Sequence, residues 1–364
     1  MNSDSHHPST RRPSTPHPAF LVTGKVDRGI RKCDVLDEDS IKSNDTNLAK
    51  GMAMVHASEL LADRGEVDDA VTSLNRAIEL FRSWPMKLGD VYLAMGHIYM
   101  KQLKYHESNT QFQNAKVQYA QAFEDKRWIE QALFPEQKIN YYLQNRLCCV
   151  LSHLGSIAFA QNDYRKANDY FHQALDEAKK SAILGLYIDR NFPVKDMKVV
   201  KEARLNVANC FNNIASLYAE QNKRPAAIKH YNDALALQIR ELGEDNDSVA
   251  KTLYNIGTLH YRSLEYNLAL KSYKQVLKMR RMLFGSRHLS NAEILIDIAT
   301  AHEKNEEIDM ALSALKAASS IISFHYGNKH IDMGRIAFRV GAMHARRGNV
   351  DFALESFNRK YFPI

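Results

Sequence analysis

Three histidines, His260, His302 and His344, stand 42 residues apart. Imidazoles at a fixed interval could hold a row of metal ions or carry protons, since a neutral ring nitrogen is a common metal ligand and titrates near physiological pH. Tyr99 and Tyr218 occupy the same slot in earlier stretches, which points instead to a shared packing or hydrogen-bonding role. A second set of polar side chains recurs in parallel: Asn209, Asn213, Lys251, Asn255, Asp297, Arg335 and Arg339. Amides can pair both a donor and an acceptor with an extended peptide backbone, and fixed cations favour carboxylates. No phosphate-binding glycine loop, HExxH, GxSxG or Asp-rich calcium loop occurs, so no catalysis, cofactor or metal is expected.

The elements that carry these rows are helices. Nine prolines and fifteen glycines are few for 364 residues, and Ala, Leu, Lys, Gln and Glu are frequent. No apolar run approaches the roughly 20 residues that span a bilayer, and no secretory apolar segment opens the chain, so a cytoplasmic protein without a membrane partner is expected. The net charge of +7 gathers at the ends, with +4 in residues 1–32 and +4 in residues 335–364. No basic stripe follows the rest of the chain, which argues against nucleic acid. Cys33, Cys148, Cys149 and Cys210 lack CxxC spacing and read as reduced, mostly buried thiols.

The interval of 42 extends beyond the histidines. Gly243, Gly285 and Gly327 end one helix each, and Ser248, Ser290 and Asp332, five residues on, are expected as N-caps of the next, with Ser290 and Glu293 as a capping box. Between these corners Leu253, Ile256, Gly257 and His260 share one helical face, and Ala269, Tyr273 and Val276 share that of a second helix. The same frame fits reference residues 215, 257, 299 and 341, and less regularly 58, 96 and 155. Small reference residues let paired helices approach, and a large residue fills the gap between them. Spacings of 59 and 60 in place of 42 imply insertions at Trp128 to Tyr142 and Leu184 to Val200, as longer second helices or corner loops.

This frame resembles the tetratricopeptide repeat. The resemblance implies an all-α superhelical solenoid of antiparallel helix pairs in seven copies. Residues 1–45 are expected as a disordered tail, which includes a candidate kinase site at Arg11-Arg12-Pro13-Ser14-Thr15-Pro16, with irregular repeats expected over residues 46–204 and regular ones over residues 205–364. The 42-residue unit, with "NNIASLY" from Asn212 and "ELGEDNDSVAKTL" from Glu241, is similar to the kinesin light chain type.

That type implies a non-catalytic scaffold or adaptor whose concave groove binds short linear motifs of partner proteins, with Asn213 and Asn255 on the peptide backbone. In the groove frame, the residue two before the reference projects inward, with neighbours four earlier and three later; His153 and Ser156 join it from the third copy. Lys251, Arg335 and Arg339 favour acidic peptides. A kinesin heavy chain enters as a partner through the resemblance, although no heptad segment precedes residue 45 to engage it. Two alternatives stand beside this. One is a chaperone-type clamp for a C-terminal carboxylate, matched by Lys251 with Asn255 and by Arg335 with Arg339 but opposed by Asp297. The other is a regulatory subunit that binds through its convex face or its insertions.

Overall fold

The computed structural model describes residues 46–124, 136–191 and 197–358; the expected tail, its Arg11 to Pro16 motif and residues 359–364 lie outside them. Among the described residues the chain forms fourteen helices and no strand. In order these are α1 Thr46–Arg64, α2 Val67–Leu80, α3 Pro85–Lys101, α4 Tyr105–Glu124, α5 Glu136–Ala160, α6 Tyr164–Asn191 and α7 Met197–Glu220. There follow α8 Arg224–Leu242, α9 Asp247–Arg262, α10 Tyr266–Phe284, α11 Leu289–Lys304, α12 Ile308–Tyr326, α13 Ile331–Arg346 and α14 Val350–Asn358. Odd-numbered helices are the first members of seven consecutive pairs.

Each pair closes on the reference residue. A methyl added at Gly96 would lie 2.4 Å from the Phe112 ring, at Gly155 2.5 Å from Phe171, and at Gly257 2.8 Å from Tyr273. The large partner stands sixteen residues after the reference in every case, and Ala215 with Tyr231 and Ala299 with Leu315 keep the spacing, all four buried. A ring can reach the backbone of the facing helix only where the reference side chain is absent or a single methyl.

The turn inside each pair repeats as strictly. Gly65, Leu103, Asn162, Asn222, Leu264, Glu306 and Gly348 all have positive φ, between 56° and 85°, and each stands seven residues after its reference. Between pairs, Gly243, Gly285 and Gly327 cap their helices at φ 82°, 85° and 76°, the left-handed geometry that favours glycine.

The N-caps correct the sequence expectation. Asn246, His288 and His330 hold the cap positions, their side chains accepting from the backbone N–H of Ser248, Ser290 and Asp332 respectively. The caps therefore lie two residues before the expected ones, and Ser290 sits inside the first turn of α11. An imidazole Nδ1 stands off the backbone much as an Asn Oδ1 does, so histidine can accept the same bond. His288 and His330 are thus corner-stabilising residues.

The insertions lengthen helices of both kinds. The second helix α6 reaches 28 residues, as expected, but the first helices α5 and α7 also reach 25 and 24 against 16 for α9. Their added turns make a small core of Tyr141, Ile188, Val199 and Ala203, tied by the Tyr141 hydroxyl donating to the Val199 carbonyl at 2.9 Å. Of the two insertions, residues 128–135 and 192–196 lie outside the described residues.

Candidate functional site

Successive first helices meet through polar contacts, and two of the junctions share one slot. The residue one after the reference on one helix opposes the residue two before the reference on the next. Between α11 and α13 these are Thr300 and Arg339: the Arg339 guanidinium donates to Thr300 Oγ1 at 3.0 Å and to Glu303 Oε2 at 3.1 Å. Between α9 and α11 the donor lies one turn before the slot: Asp297 takes the hydroxyl of Tyr254 at 2.8 Å, and burial raises its carboxyl from the ordinary value against the pull of that bond. Between α7 and α9 both partners lie one turn before the slot: Asn212 donates to Thr252 at 2.9 Å, and Thr252 donates to Gln238 at 2.7 Å, all three buried.

The two amides of the expected peptide row are enclosed. Asn213 is 2% exposed and Asn255 7% exposed. The Asn213 Oδ1 and the Asn255 Nδ2 are each buried without a hydrogen-bond partner. Leaving such an atom unsatisfied costs about 1–3 kcal/mol. Asn209, one turn earlier than Asn213, is half-buried.

The expected cations are engaged within the chain. Lys251 pairs with Asp247 at 2.6 Å and Arg335 with Asp332 at 3.1 Å, both within a single helix. Pairs this exposed are worth about 0–1 kcal/mol, so an incoming carboxylate can compete for either cation. Arg339 is held more firmly, because its partners Thr300 and Glu303 come from the neighbouring repeat.

The histidine row braces the pairs. His260 Nδ1 lies 2.7 Å from Glu265, and His302 contacts Glu307 in the same relation. The next copy has Asn349 where the glutamate would stand, and His344 stacks on Phe352 with ring centroids 5.4 Å apart. The hydrogen bonds of His260 and His302 lower the carboxyls of Glu265, after that of Arg224, and of Glu307.

In the irregular half the same slot has a different content. His97 on α3 and His153 on α5 stand at these positions, with their Nε2 atoms 2.9 Å apart. The frame applied to the third copy reaches His153 and Ser156; carried to the second copy and one turn back in the third, it also reaches His97, Asp90 and Cys149. Asp90 accepts from Tyr119 at 2.8 Å and from Tyr142 at 2.6 Å, with Arg146 at 3.4 Å. Burial pushes the His153 imidazole down to about 4, and burial followed by the neighbouring His153 holds His97 well below its ordinary range. Both rings are therefore neutral at physiological pH.

No curated protein matches this sequence. The tetratricopeptide repeat family matches residues 206–282. Among solved structures, the chain is similar to BtubC (BKLC) from P. vanneervenii, at 17% identity and TM-score 0.50 over 68% of this chain and 89% of that one. It is similar to the apo form of RapI, at 12% identity and TM-score 0.52 over 85% and 96%. It is also similar to aspartyl phosphate phosphatase F from Bacillus subtilis, at 14% identity and TM-score 0.52 over 93% and 77%. At these identities what is shared is the fold, an all-α solenoid of the tetratricopeptide type. Among the described residues, no helix is long and apolar enough to cross a membrane.

Proposed function

We propose that this chain is a non-catalytic protein-interaction scaffold of the cytoplasm, whose row of first helices receives a short extended segment of a partner protein. The observation that carries the reading is the pair Asn213 and Asn255. They stand at the same frame position on consecutive first helices, 42 residues apart, and each keeps one amide atom buried and unsatisfied. An amide that rotates toward a bound backbone exchanges that cost for a donor and an acceptor, independent of the ligand's side chains.

Lys251, Arg335 and Arg339 add a preference for acidic segments, the first two by exchanging weak internal pairs. A carboxylate clamp fits less well, since Asp297 stands in its centre and Arg339 is committed to α11. The 42-residue unit from about residue 205 to 345 supports a kinesin-light-chain-like adaptor as the finer form of this reading.

The test is selection of binding peptides from a displayed library on the full chain, followed by fluorescence polarisation with the Asn213→Ala, Asn255→Ala double variant. Affinity is expected to fall more than tenfold with helicity and melting unchanged, and Lys251→Ala should weaken acidic peptides only. Equal affinity for the double variant would remove the first-helix face as the binding site.

A further inference from the structure

The described residues bring two imidazoles and a thiol together. His97 on α3 and Cys149 and His153 on α5 each offer a donor atom within 4.8 Å of the other two. Cys149 and His153 are four residues apart, so they share one face of α5, and the reference-plus-one position of α3 delivers His97 to that face. The ring of His153 is fixed by stacking on Phe112, with centroids 4.9 Å and planes 8° apart. Its Nδ1 is buried without a partner, and the residue as a whole is 6% exposed. His97 and Cys149 are half-buried.

We propose that His97, Cys149 and His153 form a zinc site that joins the second and third repeats. Two nitrogens and one sulfur suit Zn2+ and exclude Mg2+ and Ca2+, which take oxygen ligands. Tetrahedral zinc bonds nitrogen at about 2.0–2.1 Å and sulfur at about 2.3 Å, which places two nitrogen ligands roughly 3.3 Å apart. The His97 and His153 nitrogens open by a few tenths of an ångström from their present 2.9 Å, and the thiol closes in.

Imidazole binds a metal through a neutral ring nitrogen. Binding displaces the Cys149 thiol proton: Zn2+ and the thiol give a zinc thiolate and one proton released to solvent. Three protein ligands leave the fourth position for water or for a side chain of a partner. The zinc site rests on the geometry of α3 and α5 alone and does not depend on the peptide-binding reading.

The experiment is titration of the metal-free full chain with Co2+ as a spectroscopic stand-in, then with Zn2+ by calorimetry in two buffers of different ionisation enthalpy. Expected are one equivalent bound, visible bands of tetrahedral cobalt, a sulfur-to-cobalt charge-transfer band, and one proton released. Zn2+ should also raise the melting temperature, by roughly 5 °C at a hundredfold excess over Kd. Cys149→Ser should abolish the charge-transfer band, and His97→Gln should weaken binding at least tenfold, each with the metal-free melting temperature kept. Should Cys149→Ser not fold, His97→Gln carries the test. Absence of the band overturns the site. So does a band that survives Cys149→Ser and disappears with Cys33→Ser, because that assigns the metal to the histidine-containing N-terminal segment.

Discussion

The slot between α3 and α5 and the slot between α11 and α13 are the same place in the repeat with opposite contents. In the first, two neutral rings meet at 2.9 Å, and one of them is 6% exposed. In the second, a guanidinium spans a hydroxyl and a carboxylate and keeps about a quarter of its side chain in solvent. The repeat frame decides which two side chains meet, and the local sequence decides what chemistry the meeting has. A solenoid can therefore keep one backbone and carry a ligand-type cluster at one step and a structural ion pair at another.

The largest expected effect tests whether the two halves share their scaffold. Phe112 and Leu315 each stand sixteen residues after a reference residue, and both are fully buried. Replacement by alanine should cost about 4 kcal/mol for Phe112 and about 3 kcal/mol for Leu315, measured by chemical denaturation. A near-neutral change at either would show that its pair is not held by the common gap-filling contact. Phe112→Ala should in addition free the His153 ring, visible as a change in its NMR shift, an effect with no counterpart at Leu315.

That scaffold was largely legible in the sequence. The reference residues and their large partners follow a fixed interval in types that pack only one way, and the seven copies and the helical fold followed from them. The N-caps were not: at two corners the acceptor is a histidine, an uncommon cap, two residues before a serine or aspartate, and at the third Asn246 stands two residues before Ser248, an equally good cap type. The left-handed turns at Leu103, Leu264 and Glu306 were hidden for a related reason: these residue types carry no preference for positive φ, so only tertiary structure imposes it. Lys251 and Arg335 have acidic partners one turn away, a pairing visible in the sequence. The tie from Arg339 to Glu303 crosses 36 residues and emerges only when two repeats are superposed. His97 and Cys149 lay within reach of the frame but in its irregular copies, where the 42-residue interval does not point to them.

The second effect separates the halves by pH. His153 in the metal-free fold has its imidazole held down to about 4, below the unfolded value near 6.5. As pH falls below 6.5 the unfolded chain takes up a proton that the folded one refuses, so stability present above pH 6.5 is lost progressively toward pH 4. At pH 5 the loss from this group should be about 2 kcal/mol relative to pH 7. His153→Gln should flatten that part of the stability profile, whereas Arg339→Ala should shift the whole profile by about 1 kcal/mol without changing its slope. An unchanged acid slope in His153→Gln would show that the ring is hydrated in solution and that the two slots differ less than their geometry implies.

The smallest effect asks the same question where no slot chemistry interferes. Leu103 and Leu264 hold left-handed turns at φ 60° and 62° and are 62% and 72% exposed, so they lose little burial when replaced. The left-handed conformation costs an L-residue about 1–2 kcal/mol, and glycine removes that cost while adding about 0.5–1 kcal/mol of unfolded-state freedom. Leu103→Gly and Leu264→Gly should therefore each stabilise the chain by about 0.5 kcal/mol, seen as a small rise in melting temperature. Asn162→Gly, at the same frame position, should change little, since asparagine already tolerates the turn. Equal gains at Leu103 and Leu264 would mean that the irregular and regular halves turn their pairs identically and differ only in what they place between first helices. A gain at Leu264 alone would mean that the irregular half holds its second pair by a different turn in solution, and the superposition that puts His97 opposite His153 would lose its basis.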